Sequence, residues 1–189
     1  MDVNTLLKRR LLFSRLRFHT GLLIMKDDIR VVSIDSSTRK TGIALFINGK
    51  LQESKLIDLS VCKAETDERI DIMGANLILM LTKWNPDIVY IEIPKGHGRN
   101  TQLVLVLAEI LGIVRGWCID NSKHYEQIQP SEWRSYLGFK QGATKREELK
   151  RESIEYVRNK YDILVNDDVA DSICIGDAMI KKYSEDKNE

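Results

Sequence analysis

The chain has 189 residues, 43% hydrophobic and 30% charged, with 11 Gly and 3 Pro, the make-up of one globular domain that buries a core unaided; a disordered, collagen-like or channel-forming chain is excluded. Its formal net charge of +1 is unevenly divided, with six basic side chains against one acid in residues 1–26, a net of +5, and 23 bases against 27 acids in the remainder, a net of −4. A body of that balance binds nucleic acid only through a local basic strip, or through cations held between its acids and phosphate.

Residues 1–26 are Arg-rich, acid-poor and apolar at helical spacing, a composition that permits an import signal, a basic arm or a surface helix, with Met25 as an alternative start. They read as an extension to a domain over 27–189. From Ile29, IRVVSID, TGIALFI and KLQESKLIDL read as three meandering strands, the last two joined by Asn48-Gly49, a strong hairpin signal. Residues 66–84 place Ile70, Met73, Leu77, Met80, Leu81 and Trp84 on one helical stripe that Asn85-Pro86 terminates. Residues 87–93, DIVYIEI, read as a strand buried on both faces, and PKGHGRN as a loop.

Residues 101–117 read as a helix buried on most sides, against the sheet and a second subunit. Interrupted by Glu109 and followed by Arg115, the apolar stretch is taken as short of a bilayer span, so no membrane is expected. HYEQIQP reads as a fifth strand, SEWRSYL as a short helix, and GFKQGA as a loop. The charged 144–161 and the final DDVADSICIGDAMIKKYSE read as helices, with a fraying tail from Ser184. Cys62, Cys118 and Cys174 are few, scattered and outside any CxxC pair, which points to a reducing cytoplasm.

Two acids sit where apolar neighbours argue for burial: Asp35 ends VVSID and Glu92 lies within IVYIEI. An ionised carboxylate there is costly unless paired or bound to metal. Asp168 and Asp171, three apart at the start of the last helix, point to one side. Four such carboxylates, with no His or Cys among them, suit Mg²⁺ or Mn²⁺. Each has a plainer reading: Asp167 or Asp168 as a helix cap, Asp35 as a turn former, Glu92 as the partner of Lys95 or Arg99. Trp84, Trp117 and Trp133 read as core or interface anchors, and His19 and His124 as structural or exposed.

IDSSTRKTGIALF, YIEIPKGHGRNTQLVLVLAEILGIVRG, QPSEWRSYLGFKQGATKREEL and DDVADSICIGDA, taken in that order, resemble RuvC-type Holliday-junction resolvases, the phage-encoded branch in particular, over residues 29–178. The resemblance implies an α/β, RNase H-like fold: a five-stranded mixed sheet, a three-strand meander then two parallel strands, flanked by helices. It further implies a homodimer, Mg²⁺ dependence with Mn²⁺ substituting, and paired nicks across a four-way DNA junction in recombination and repair. Its catalytic and metal-binding acids map to Asp35, Glu92, Asp168 and Asp171, and its basic DNA contacts to Arg134 and Lys145. Lys140, Arg146, His97 and Arg99 are further candidate DNA contacts, set against the reading of solvated helix and loop residues. Where the family often places an aromatic wedge, this chain has Pro94-Lys95-Gly96-His97, so action on other branched DNA is also expected. The alternatives are a nuclease on RNA or RNA–DNA hybrid, an actin-like or sugar-kinase-like ATPase, for which 189 residues leave little room, and a non-catalytic DNA-binding relative.

Overall fold

Asn48 and Gly49 take φ of 52° and 77°, the paired left-handed residues of a tight hairpin whose twist matches its strands. They join β2 (Lys40–Ile47) to β3 (Lys50–Asp58), and β1 (Arg30–Asp35) precedes them. The computed structural model describes residues 28–93, 101–141 and 144–185. The basic extension at 1–26 and the loop bearing His97 and Arg99 lie outside the described residues.

The chain continues through α1 (Thr66–Trp84), β4 (Ile88–Glu92), α2 (Thr101–Asp120), β5 (His124–Ile128), α3 (Pro130–Leu137), α4 (Arg146–Tyr161) and α5 (Asp167–Glu185). The sheet order is β3-β2-β1-β4-β5. The first three strands pair antiparallel, and β1–β4 and β4–β5 are parallel, the mixed sheet expected from the sequence.

Because strand side chains alternate between faces, β1 and β4 feed two cores. Val32, Ile34, Val89 and Ile91 face a cluster shared with α1 and α2. Val31, Ile88 and Tyr90 face a second cluster with Trp133, Val157 and the apolar side of α5. Both strands are therefore nearly continuous apolar runs. Helix α1 buries Ile70, Met73, Leu77, Leu81 and Trp84, and stops at Asn85, which is left-handed and precedes Pro86. A Cβ on its Gly74 would stand 2.6 Å from Ile113 Cδ1, so α1 and α2 pack closely there.

Helix α2 departs from expectation in two ways. It runs three residues past 117, to Asp120, and over Gln102–Asp120 it is long and apolar enough to cross a membrane by length and composition. The charges at Glu109 and Arg115, taken to break the stretch, do not interrupt the helix. Within the chain one stripe, Val106, Ile110, Leu111, Val114 and Cys118, is buried, while Leu103, Leu105 and Ile119 are 47%, 55% and 45% exposed, leaving free the face expected to meet a second subunit. At the chain's end, Ser184 still belongs to α5, its Oγ donating to the Ile180 carbonyl at 2.7 Å, where the sequence suggested a frayed tail.

Small residues seat α5 on the sheet. Ser33 Oγ donates to the Ser172 carbonyl at 2.7 Å, and Ala170 and Ala178 are fully buried. A Cβ on Gly176 would overlap the Phe46 ring, and one on Gly42 would overlap the carbonyl of Asp168. Gly42→Ala must therefore push the start of α5 off β2. The expected cost is about 1–3 kcal/mol, read as a lowered urea midpoint; an unchanged midpoint would show that the helix yields freely.

Candidate active site

Asp35 is the last residue of β1 and Glu92 the last of β4. The parallel register pairs Ile34 with Ile91, so the two acids end adjacent strands one residue further on. By strand alternation both lie on the sheet face that carries α5. Across the antiparallel side Asp35 pairs with Gly42, whose missing side chain lets the Asp168 backbone approach. Asp171 follows one helical turn later. A strand end, its parallel neighbour and a helix start thus bring together the four acids singled out from the sequence.

Their electrostatics agree with that placement. Burial, then repulsion from Glu92, Asp171 and Asp168, pushes the Asp35 carboxyl well above its ordinary range, with Arg134 opposing. Burial lifts Asp171 to about 6, against a Ser153 hydrogen bond and the Arg134 charge. Asp168 is raised by burial and by Asp167. A carboxyl whose folded pKa is raised favours the native state most at low pH and loses that stabilisation as pH climbs. In chelator, the contribution of Asp171 should fall between about pH 4 and 6. Urea midpoints across that window should drop less in Asp171→Asn; an equal drop would place the titration elsewhere.

The capping role is filled by a neighbour, while Lys95 and Arg99, read as partners of Glu92, lie outside the described residues. Asn166 Oδ1 accepts the Val169 amide at 3.2 Å and so caps α5. Asp167 is paired to Lys150, which holds its carboxyl below the usual range against the raising effect of burial. Neither role falls to Asp168 or Asp171.

The donor set is all carboxylate oxygen, the chemistry of a hard divalent cation. Asp171 Oδ1 is buried with no hydrogen-bond partner among the described residues, and Asp35 feels three like charges against one cation. Among the described residues no three His, Cys, Asp or Glu side chains stand close enough to clasp one ion; the fit is one of charge and donor type.

Arg134, expected as a DNA contact, faces Asp35 and Asp171. Its guanidinium lies 4.6 Å from the centre of the Trp133 ring. Lys140 is paired with Glu148 at 2.7 Å, and its amide bonds to Glu152. Lys145 and Arg146 are exposed at the start of α4. Trp133, read as a core anchor, is indeed fully buried, but its Nε1 also donates to Glu92 Oε2 at 2.6 Å. That role has no signal in a single sequence, because the partners are 41 residues apart.

Fold and site describe an RNase H-like α/β domain with a carboxylate cluster at the end of its central strands. No family model and no curated protein matches the sequence. Solved structures do. Thermus thermophilus RuvC in complex with a Holliday junction substrate superposes with a TM-score of 0.65 at 16% identity, over 83% of this chain and 96% of that one. The yeast mitochondrial Holliday junction resolvase gives 0.57 at 15%, over 85% and 81%. Fowlpox virus resolvase, solved with Holliday junction DNA, gives 0.53 at 19%, over 82% and 99%.

Proposed function

We propose that this chain is a divalent-metal-dependent endonuclease that resolves four-way DNA junctions, and related branched DNA, by paired nicking as a homodimer. The observation that carries the reading is the meeting of Asp35, Glu92, Asp168 and Asp171 at one end of β1 and β4. The fold shared with three junction resolvases supports it. So do the four motifs in the order found in the phage-encoded branch of the RuvC type.

The four acids would hold Mg²⁺, or Mn²⁺ in its place. When bound, such ions lower the pKa of water and stabilise charge on a phosphodiester undergoing displacement. The chain's own residues do the rest. Burial and mutual repulsion disfavour the fully ionised cluster, a cost that a bound cation would relieve and that Arg134 offsets in part. Lys145 and Arg146 offer positive charge at an exposed helix start, where free amides also favour phosphate. Leu105 and Ile119, exposed on the side of α2 away from its buried stripe, supply the surface on which two copies meet.

The test is cleavage by purified protein with Mg²⁺ on a synthetic four-way junction, a flap, a linear duplex and an RNA–DNA hybrid. Cutting of the hybrid alone would replace this reading with the ribonuclease one. Lys145→Ala should weaken junction binding and lower the slope of log affinity against log salt by about one. An unaltered slope removes Lys145 from the DNA surface.

A further inference from the structure

A metal-binding glutamate must present its oxygens in one orientation, and a strand end does not provide this. Glu92 closes β4, and the next amide, Ile93 N–H, is already spent on the Ile128 carbonyl at 3.0 Å. A glutamate reaches its orientation through three side-chain torsions, and each contact that narrows them steadies a cation site.

Trp133 supplies the constraint from the opposite wall. Its Nε1–H reaches Glu92 Oε2 at 2.6 Å. The indole cannot swing away: it is fully buried, and Phe139 meets it at 6.0 Å and 76°. Phe139 is in turn backed by Tyr156 at 5.4 Å and 73°. An indole N–H donates without accepting or titrating. It can therefore orient a carboxylate while leaving its full negative charge to a cation, which a lysine in the same place would neutralise.

The ring has a second use. Arg134 Cζ sits 4.6 Å from its centroid, and Arg134 Nε is buried with no hydrogen-bond partner among the described residues. The aromatic face, together with the attraction of Asp35 and Asp171, sets where that guanidinium lies.

We propose that Trp133 is a positioning residue of the acidic site, its N–H fixing one oxygen of Glu92 while its ring holds Arg134 against Asp35 and Asp171. The assignment rests on the nuclease reading above, and the experiment separates the two. Three forms are compared with the parent: Trp133→Phe, which retains an aromatic face but loses the donor; Trp133→Leu, which loses both; and 3-benzothienylalanine introduced at position 133 alone, which retains the bicyclic shape without the N–H. Readouts are Mn²⁺ affinity of the DNA-free protein by calorimetry, the Mn²⁺ midpoint for junction cleavage, and junction affinity in chelator.

The benzothienyl form should melt within ~2 °C of the parent. Its Mn²⁺ affinity should fall about tenfold, and its cleavage midpoint should rise by a similar factor. Saturating Mn²⁺ should restore most of the turnover, and junction affinity in chelator should not move. Trp133→Phe should share the metal defect, and Trp133→Leu should exceed it because Arg134 is also released. If the parent binds Mn²⁺ and cuts while the benzothienyl form matches it in every readout, the ring is packing alone and the Trp133 assignment is overturned. If the folded parent neither binds Mn²⁺ nor cuts branched DNA, the nuclease reading falls and takes this assignment with it.

Discussion

Asp35→Asn should abolish junction cleavage, by on the order of 10³-fold or more, equivalent to about 4 kcal/mol of transition-state stabilisation, while junction affinity in chelator stays near that of the parent. The asymmetry follows from the position of Asp35. It ends β1 between Glu92 and the start of α5, so an amide there removes a central anionic donor and no basic group. A second effect has the opposite sign. Because the folded-state pKa of Asp35 is raised by burial and by three neighbouring acids, stability associated with it is present at low pH and lost as pH rises through that shifted value. At neutral pH in chelator Asp35→Asn should therefore unfold at higher urea than the parent, and added Mg²⁺ should narrow the gap by stabilising only the parent. Retained cleavage would refute the metal assignment; retained cleavage with no gain in stability would also refute the crowding of charge around Asp35.

Leu105→Asp should convert a dimer to monomers, raising the dissociation constant at least 100-fold, about 2.7 kcal/mol. Leu105 is 55% exposed on the same side of α2 as Ile119, and the opposite stripe of the helix already fills the core. The substitution thus places a charge on the free surface without opening a cavity, so the monomer should keep its fold. Light scattering reads the mass, and a cruciform plasmid reads the coupling of the two cuts: the parent should give linear product and the variant nicked circles. A parent that is monomeric at micromolar concentration would remove both the surface and the pairing from the proposal.

The sheet was legible because its signals are local. Asn48-Gly49 specifies its own turn, and the two-sided apolar runs of β1 and β4 state their burial residue by residue. Asp35 and Glu92 stood out for the same reason: an acid closing such a run is conspicuous against its neighbours. What could not be read depends on pairings across the fold. Trp133 gives no hint that its N–H meets Glu92, and nothing near Gly42 announces that a helix beginning more than a hundred residues later will lie against it. The motif mapped Arg134 to a nucleic-acid contact but could not show that a stacking ring and two carboxylates lie beside it. Which face of α2 meets the sheet was not legible, because an apolar helix gives no sign of which rows its own chain will cover.

The contact between Gly42 and the backbone of Asp168 means that the spacing between two of the acids is governed by a residue with no functional group at all. Chemistry at this site can consequently be detuned from a neutral position, with every charged side chain left untouched. A survey confined to polar substitutions would overlook the hydrogen atom on which the distance depends.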